Sequence, residues 1–143
     1  MKLFSDEQLA VAAIWAEAEG ESLRGKMMVG EVIRKRTRLK LPYLSDGTIA
    51  GTIALRYQFS ALNDDPADNL RLIASLKIDD QDQAVADCII AWRNSATTNY
   101  SKGAVLYYNP KIIKTPPSWV AKSDHVASEG SHEFYLPWEL KGK

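Results

Sequence analysis

Residues 5–20 read Ser5-Asp6-Glu7-Gln8-Leu9-Ala10-Val11-Ala12-Ala13-Ile14-Trp15-Ala16-Glu17-Ala18-Glu19-Gly20. Ser5-Asp6-Glu7-Gln8 has the form of a capping box: the Ser5 hydroxyl accepts the Gln8 amide N–H and the Gln8 side chain returns to the Ser5 N–H. The spacing predicts a helix to about Ala18, with Gly20 as its stop. At about 100° per residue, Glu17 falls on the side of Ala10, Ala13 and Ile14, the face such a helix buries. A carboxylate in line with apolar side chains is costly to bury unpaired. Desolvation and the negative end of the helix dipole both favour its protonated form. Glycoside cleavage needs a carboxylic acid that is protonated near neutral pH. Periodicity leaves a second reading open, in which Glu17 turns to solvent at a fraying helix end. Glu19 and Glu21 project elsewhere.

Working outward, Ser22 can cap a second helix over Leu23 to Leu39, with Met27, Met28, Val32 and Ile33 as apolar positions. Gly25 and Gly30 inside it point to close approach of a neighbouring backbone. The basic run from Arg34 to Lys40 reads as a solvated helix end that suits the negative pole of the dipole, and Leu41-Pro42 stops the helix. Ser45-Asp46-Gly47 is a turn, followed by a short helix over Thr48 to Leu55 and a compact polar-aromatic segment, Arg56-Tyr57-Gln58-Phe59-Ser60. Asp65-Pro66 opens another helix whose apolar face is Leu70, Ile73 and Leu76. Asp79-Asp80 starts a further one, where Val85, Cys88, Ile89 and Trp92 recur at helical spacing. Cys88 on that stripe is a packed thiol. Phe59, Trp92 and Phe134 are expected in the core. Gly103–Tyr108 and Glu133–Leu136 suit short strands.

Composition bounds the answer. The chain has 143 residues, the length of one domain, with a hydrophobic fraction of 45% and a charged fraction of 25%, so it folds around a core rather than staying disordered. Eighteen Lys and Arg balance eighteen Asp and Glu, which leaves no whole-chain cationic footprint for nucleic acid. A single cysteine excludes an internal disulfide and any CxxC motif. No apolar run approaches the roughly 20 residues of a membrane span. The opening residues lack the pattern of a secretory signal, so synthesis in a cytoplasm without a signal peptide is the expectation. His125 and His132, with Glu129 nearby, do not have the spacing of a zinc motif; no metal and no cofactor is expected.

Taken together, the segments resemble the SleB-like cell wall hydrolases, which include spore-cortex-lytic enzymes and phage lysis proteins. Ala16-Glu17-Ala18-Glu19-Gly20-Glu21 is similar to the family's aEArGE signature, with Glu19 where Arg is common. Gly25 to Arg36 resembles the following helix, with Lys35 in place of the usual Asn. Gln58-Phe59-Ser60, Gly103 to Pro110, Ser118-Trp119 and Gly130 to Tyr135 match further segments in order. The likeness spans residues 10 to 135.

The resemblance implies one catalytic domain over residues 1–143 with an α+β, mostly helical, lysozyme-like fold and a small β element in its C-terminal part. It implies action on the glycan strands of peptidoglycan, with Glu17 as catalytic acid. A lytic transglycosylase needs a single acid: Glu17 protonates the glycosidic oxygen between MurNAc and GlcNAc, then accepts the proton of the sugar's own C6 hydroxyl as that oxygen closes a 1,6-anhydro ring. Gln58, Ser60, Tyr107, Tyr108 and Asn109 could bond the acid or the sugars, with Ser60 orienting Glu17. Alternation along a strand sends Tyr107 and Tyr108 to opposite faces, so one of them lines the site. Trp119 and Tyr135 offer aromatic faces for sugar subsites, and His132 offers a hydrogen bond in the cleft. Alternatives remain: a muramidase using water and a second carboxylate, Glu31 or Asp64; a silent wall-binding module; and a metal-dependent hydrolase using the two histidines. The expected setting is a monomeric phage endolysin, held in the host cytoplasm and then acting from the periplasm.

Overall fold

Ser5 Oγ accepts the Gln8 N–H at 3.1 Å while Gln8 Oε1 accepts the Ser5 N–H at 2.8 Å, so helix α1, Asp6–Ala18, starts with both halves of its capping box formed. The computed structural model describes residues 4–58 and 83–143, with the backbone alone for Tyr57 and Gln58. Helix α2, Leu23–Leu39, is capped by Ser22 Oγ, which accepts the Gly25 N–H at 3.1 Å. Helix α3 is Ile49–Gln58 and helix α4 is Gln83–Asn94. Strand β1 is Leu106–Tyr108, β2 is Ser123–Glu129 and β3 is His132–Pro137; they form an antiparallel sheet in the order β1-β3-β2. Mostly helical α+β architecture with a small C-terminal sheet is therefore what the chain adopts.

Helix α1 is central because its surface is short side chains. Ala10, Ala12, Ala13, Ala16 and Ala18 are all buried, together with Val11 and Ile14, and the small methyls let α2, α3 and α4 pack around it. The α4 stripe closes one side: Val85, Cys88 and Trp92 are buried and Ile89 packs on the same cluster. The α2–α4 approach depends on Gly30, since a Cβ there would sit 2.7 Å from Ser95 Oγ. The sheet is joined to α2 by a second cluster, in which Phe134 and Ala104 meet Met28 and Val32. Trp92 and Phe134 are thus core residues.

Four features differ from the sequence reading. First, α3 continues through Gln58, which makes Arg56 helical rather than part of an irregular segment. Second, the basic run is solvated only in part: Arg38 and Lys40 are exposed, whereas Arg34 and Arg36 turn inward. Arg34 lies over the Trp92 ring at 3.7 Å and donates to Trp92 O at 2.7 Å and to Ser95 Oγ at 2.9 Å. Arg36 is buried, and its Nε donates to Val105 O at 2.6 Å. Each guanidinium is held inward by the backbone carbonyl to which it donates. Third, β2 has no apolar alternation to announce it; it is an edge strand carrying Asp124, His125, Ser128 and Glu129, and exists by pairing with β3. Fourth, β1 begins only at Leu106. The helix expected after Asp65-Pro66, and Phe59, Ser60 and Asp64, lie outside the described residues.

Candidate active site

Glu17 occupies the last turn of α1 and points inward, which settles the two readings that periodicity left open. Its side chain is only 12% exposed. Arg56, in the last turn of α3, faces it: Arg56 Nη2 is 3.2 Å from Glu17 Oε1 and 3.5 Å from Oε2. Burial raises the cost of an unpaired carboxylate, and the guanidinium offsets it. Around the pair, Ala13 from α1, Val32, Ile33 and Arg36 from α2, Thr52 and Ile53 from α3, and Tyr107 from β1 line a small pocket. Among the described residues Glu17 is the one carboxylate lining it.

The pocket's polar groups are tuned by burial. Burial, and after it the Glu17 carboxylate, push the Tyr107 hydroxyl well above its ordinary value, so at neutral pH it is a phenol able to donate. Burial lowers the Arg36 guanidinium from its ordinary value, and Tyr107 pulls the other way. His132 is buried behind Tyr107, with the two rings edge to face at 5.2 Å. Burial lowers its proton affinity against the pull of Glu21 and Glu17, which leaves a neutral imidazole at pH 7. Its Nδ1 has no hydrogen-bond partner among the described residues.

The structure brings three of the sequence candidates together, Glu17, Tyr107 and His132, and separates the others. Register explains the split. Tyr107 pairs with Phe134 and faces the helices, so Tyr108 must face away. On that outer face Tyr108 stacks on Tyr135 at 5.9 Å, and Trp119 meets both rings edge-on, at 5.9 Å from Tyr108 and 5.3 Å from Tyr135. Trp119 lines a separate groove there with Tyr43, Leu106 and Trp138. Tyr108, Trp119 and Tyr135 therefore do not line the pocket around Glu17. Asn109 is committed to a turn, its Oδ1 accepting the Lys111 N–H at 2.9 Å. Gln58 ends α3 with its side chain outside the described residues, as is all of Ser60.

Glu31 is held elsewhere. Its carboxylate accepts from Thr98 Oγ1 at 2.5 Å, Tyr100 N at 3.1 Å, Ser101 N at 2.8 Å and Ser101 Oγ at 2.7 Å, so it organises the loop after α4. The two histidines fall in different places: His125 Nε2 lies 2.7 Å from Glu133 Oε2 on the exposed side of the sheet, far in register from the buried His132. Among the described residues no three His, Cys, Asp or Glu side chains gather as a metal ion would need. Nor is any helix among them long and apolar enough to cross a membrane.

Arg56 and Arg36 are charged residues lining the pocket that sequence reasoning missed. Thr52 and Arg56 stand one turn apart and both face the pocket, but ending the expected helix at Leu55 hid that relation.

A family profile described as Cell Wall Hydrolase matches residues 20–135. The fold is similar to the catalytic domain of the Bacillus cereus SleB protein, with a TM-score of 0.64 at 21% identity over 95% of this chain and 94% of that chain. It is also similar to the catalytic domain of the germination-specific lytic transglycosylase SleB from Bacillus anthracis, with a TM-score of 0.63 at 19% identity over 95% of this chain and 99% of that one. No curated protein sequence matches this one significantly. The profile match extends over most of the chain, and on that ground the chain belongs to the cell wall hydrolase family.

Proposed function

We propose that the protein degrades peptidoglycan as a lytic transglycosylase, cleaving the MurNAc–GlcNAc bond with Glu17 as acid and then base. The observation that carries this reading is the pocket: one carboxylate among the described residues, mostly buried, beside a guanidinium and a phenol. Family membership and the likeness to a SleB lytic transglycosylase support it. The family match begins three residues after Glu17, so the assignment of the acid stands on the geometry.

The steps balance with one carboxyl group. Protonated Glu17 gives its proton to the glycosidic oxygen, and the GlcNAc alcohol leaves as positive charge develops at C1 of MurNAc. The resulting carboxylate takes the proton of the C6 hydroxyl as O6 bonds to C1, forming the 1,6-anhydro ring and regenerating the acid. Arg56 stabilises the carboxylate after its proton has left, and Tyr107 can donate to an oxygen in the pocket. Hydrolysis of the same bond calls for two flanking carboxyl groups. Of the two considered, Glu31 is consumed by its own loop and Asp64 lies outside the described residues.

Digestion of purified sacculi with wild type and Glu17→Gln, read by mass spectrometry, tests the reading. Anhydro ends, lighter by one water and missing with the variant, are expected. Ordinary reducing ends would overturn it in favour of a muramidase. The endolysin setting belongs to the same proposal: protein made inside a Gram-negative host should leave cells intact until the inner membrane is permeabilised, and lysis without that step would count against it.

A further inference from the structure

Between α1 and α2, one side chain crosses to the β2–β3 hairpin. Glu21 Oε1 accepts the Ser131 backbone N–H at 2.7 Å, joining residues 110 apart in sequence. The peptide that carries Glu21 is itself anchored, since Lys26 Nζ donates to Glu21 O at 2.5 Å. The hairpin turns at Gly130, with φ of +57°. A Cβ at that position would lie 2.3 Å from Glu21 Oε1, so glycine is what lets the carboxylate reach the turn.

The contact leads directly to the pocket. Ser131 is followed by His132, the first residue of β3, whose Nδ1 lies 3.7 Å from Glu21 Oε1. The His132 ring abuts Tyr107, and Tyr107 lines the wall facing Glu17. Glu17 is one turn before Glu21 on the other side of the same connection. A hydrogen bond from a backbone N–H to a carboxylate is among the stronger kinds. This one ties the hairpin whose His132 packs on Tyr107 to the segment that follows the acid.

We infer that Glu21 is a positioning residue: its carboxylate clamps the hairpin against the end of α1 and thereby sets Tyr107 at its distance from Glu17. The kinetic consequence rests on the proposed function; the clamp itself does not. A misplacement of about 1 Å in a reacting group can cost on the order of a hundredfold in rate, so a released hairpin should be felt in kcat rather than in KM.

Three variants test the clamp: Glu21→Ala, Glu21→Gln and Gly130→Ala. The last leaves Glu21 in place and pushes it off the turn. Each is compared with wild type for the Ser131 amide and Tyr107 ring resonances, for kcat and KM on soluble glycan strands, and for thermal midpoint. In Glu21→Ala and Gly130→Ala the Ser131 amide should lose its downfield shift and its protection from exchange, the Tyr107 ring signals should move, and kcat should fall roughly tenfold or more with KM little changed. Glu21→Gln keeps an acceptor for the Ser131 N–H and should restore all of these. Full kcat in a folded Glu21→Ala overturns the inference, as does a Ser131 amide that does not respond. A Glu21→Gln variant as slow as Glu21→Ala also overturns it, because charge and not the hydrogen bond would then be what matters. If the wild type cleaves no glycan, the proposed function fails, and the amide and ring resonances still decide the clamp.

Discussion

Arg56 Nη2 and Glu17 Oε1 are 3.2 Å apart, in a pair contributed by two helices and shielded by both. The side chains are 21% and 12% exposed, so the pair is neither a surface ion pair of small worth nor fully removed from water. Arg56→Gln removes that cation and should cost about 1–3 kcal/mol of stability. In a double-mutant cycle with Glu17→Gln, measured by urea unfolding, a coupling of about 1 kcal/mol is expected. A coupling near zero would show that the pair does not hold the two helices together. Activity of Arg56→Gln should fall at least about tenfold, since it loses charge stabilisation in a partly water-excluded pocket.

Glu31 gives the second prediction, and it separates structure from catalysis. With four donors converging on one buried carboxylate, Glu31→Ala strands two backbone N–H groups and two hydroxyls. A loss of about 3–5 kcal/mol is expected from breaking a buried charged network, with the remaining folded protein still cleaving at low temperature. A variant that is stable but inactive would instead make Glu31 a catalytic carboxylate and favour hydrolysis.

Cys88 should be inert in the native protein. It is fully buried on the α4 stripe, and burial pushes its thiol up to about 11. Alkylation by iodoacetamide at pH 8 should therefore be slow until the chain is unfolded in urea. Because the native state favours the protonated thiol, its contribution to stability is intact below pH 9 and is lost as pH rises from there through about 11. Native labelling as fast as unfolded labelling would contradict the burial.

His132 supplies the acid side. Burial, against the weaker pull of Glu21 and Glu17, sets its folded-state proton affinity below the ordinary histidine value of 6.5. Protons then bind the unfolded chain preferentially, so the contribution of neutral His132 is present above that value and is lost as pH falls below it. Urea midpoints of wild type should decline from pH 7.5 to 5. His132→Phe, which keeps an aromatic ring against Tyr107, should show a shallower decline. Equal slopes would remove His132 from the account.

Much of the helical half is legible locally. Ser5 with Gln8, and Ser22 with Gly25, announce the starts of α1 and α2 because a cap is a bond between residues three apart. The α4 stripe follows from helical period alone, and the same period puts Glu17 on the apolar face of α1 while leaving a turn to solvent open. The sheet is less legible. Alternation says that Tyr107 and Tyr108 oppose each other, but which one meets the acid depends on the Tyr107–Phe134 pairing. The β1–β3 pairing places Tyr135 on the outer face, where Trp119 packs against it, away from the pocket around Glu17. β2 has no periodic signal because an edge strand with mixed polar residues is specified by its neighbour.

The sequence by itself determined where α1 and α2 begin, which face of α1 carries Glu17, and the family to which its ordered motifs are similar. Tertiary structure alone decided what meets Glu17. Arg56 arrives from 39 residues away, Arg36 reaches Val105 across 69, and Glu21 reaches Ser131 across 110. Caps and helical period act within about one turn of chain, so they can be read from neighbouring residues. Charge pairs and clamps between elements form only where shared burial of apolar faces has already set those elements side by side, and no local pattern carries that placement.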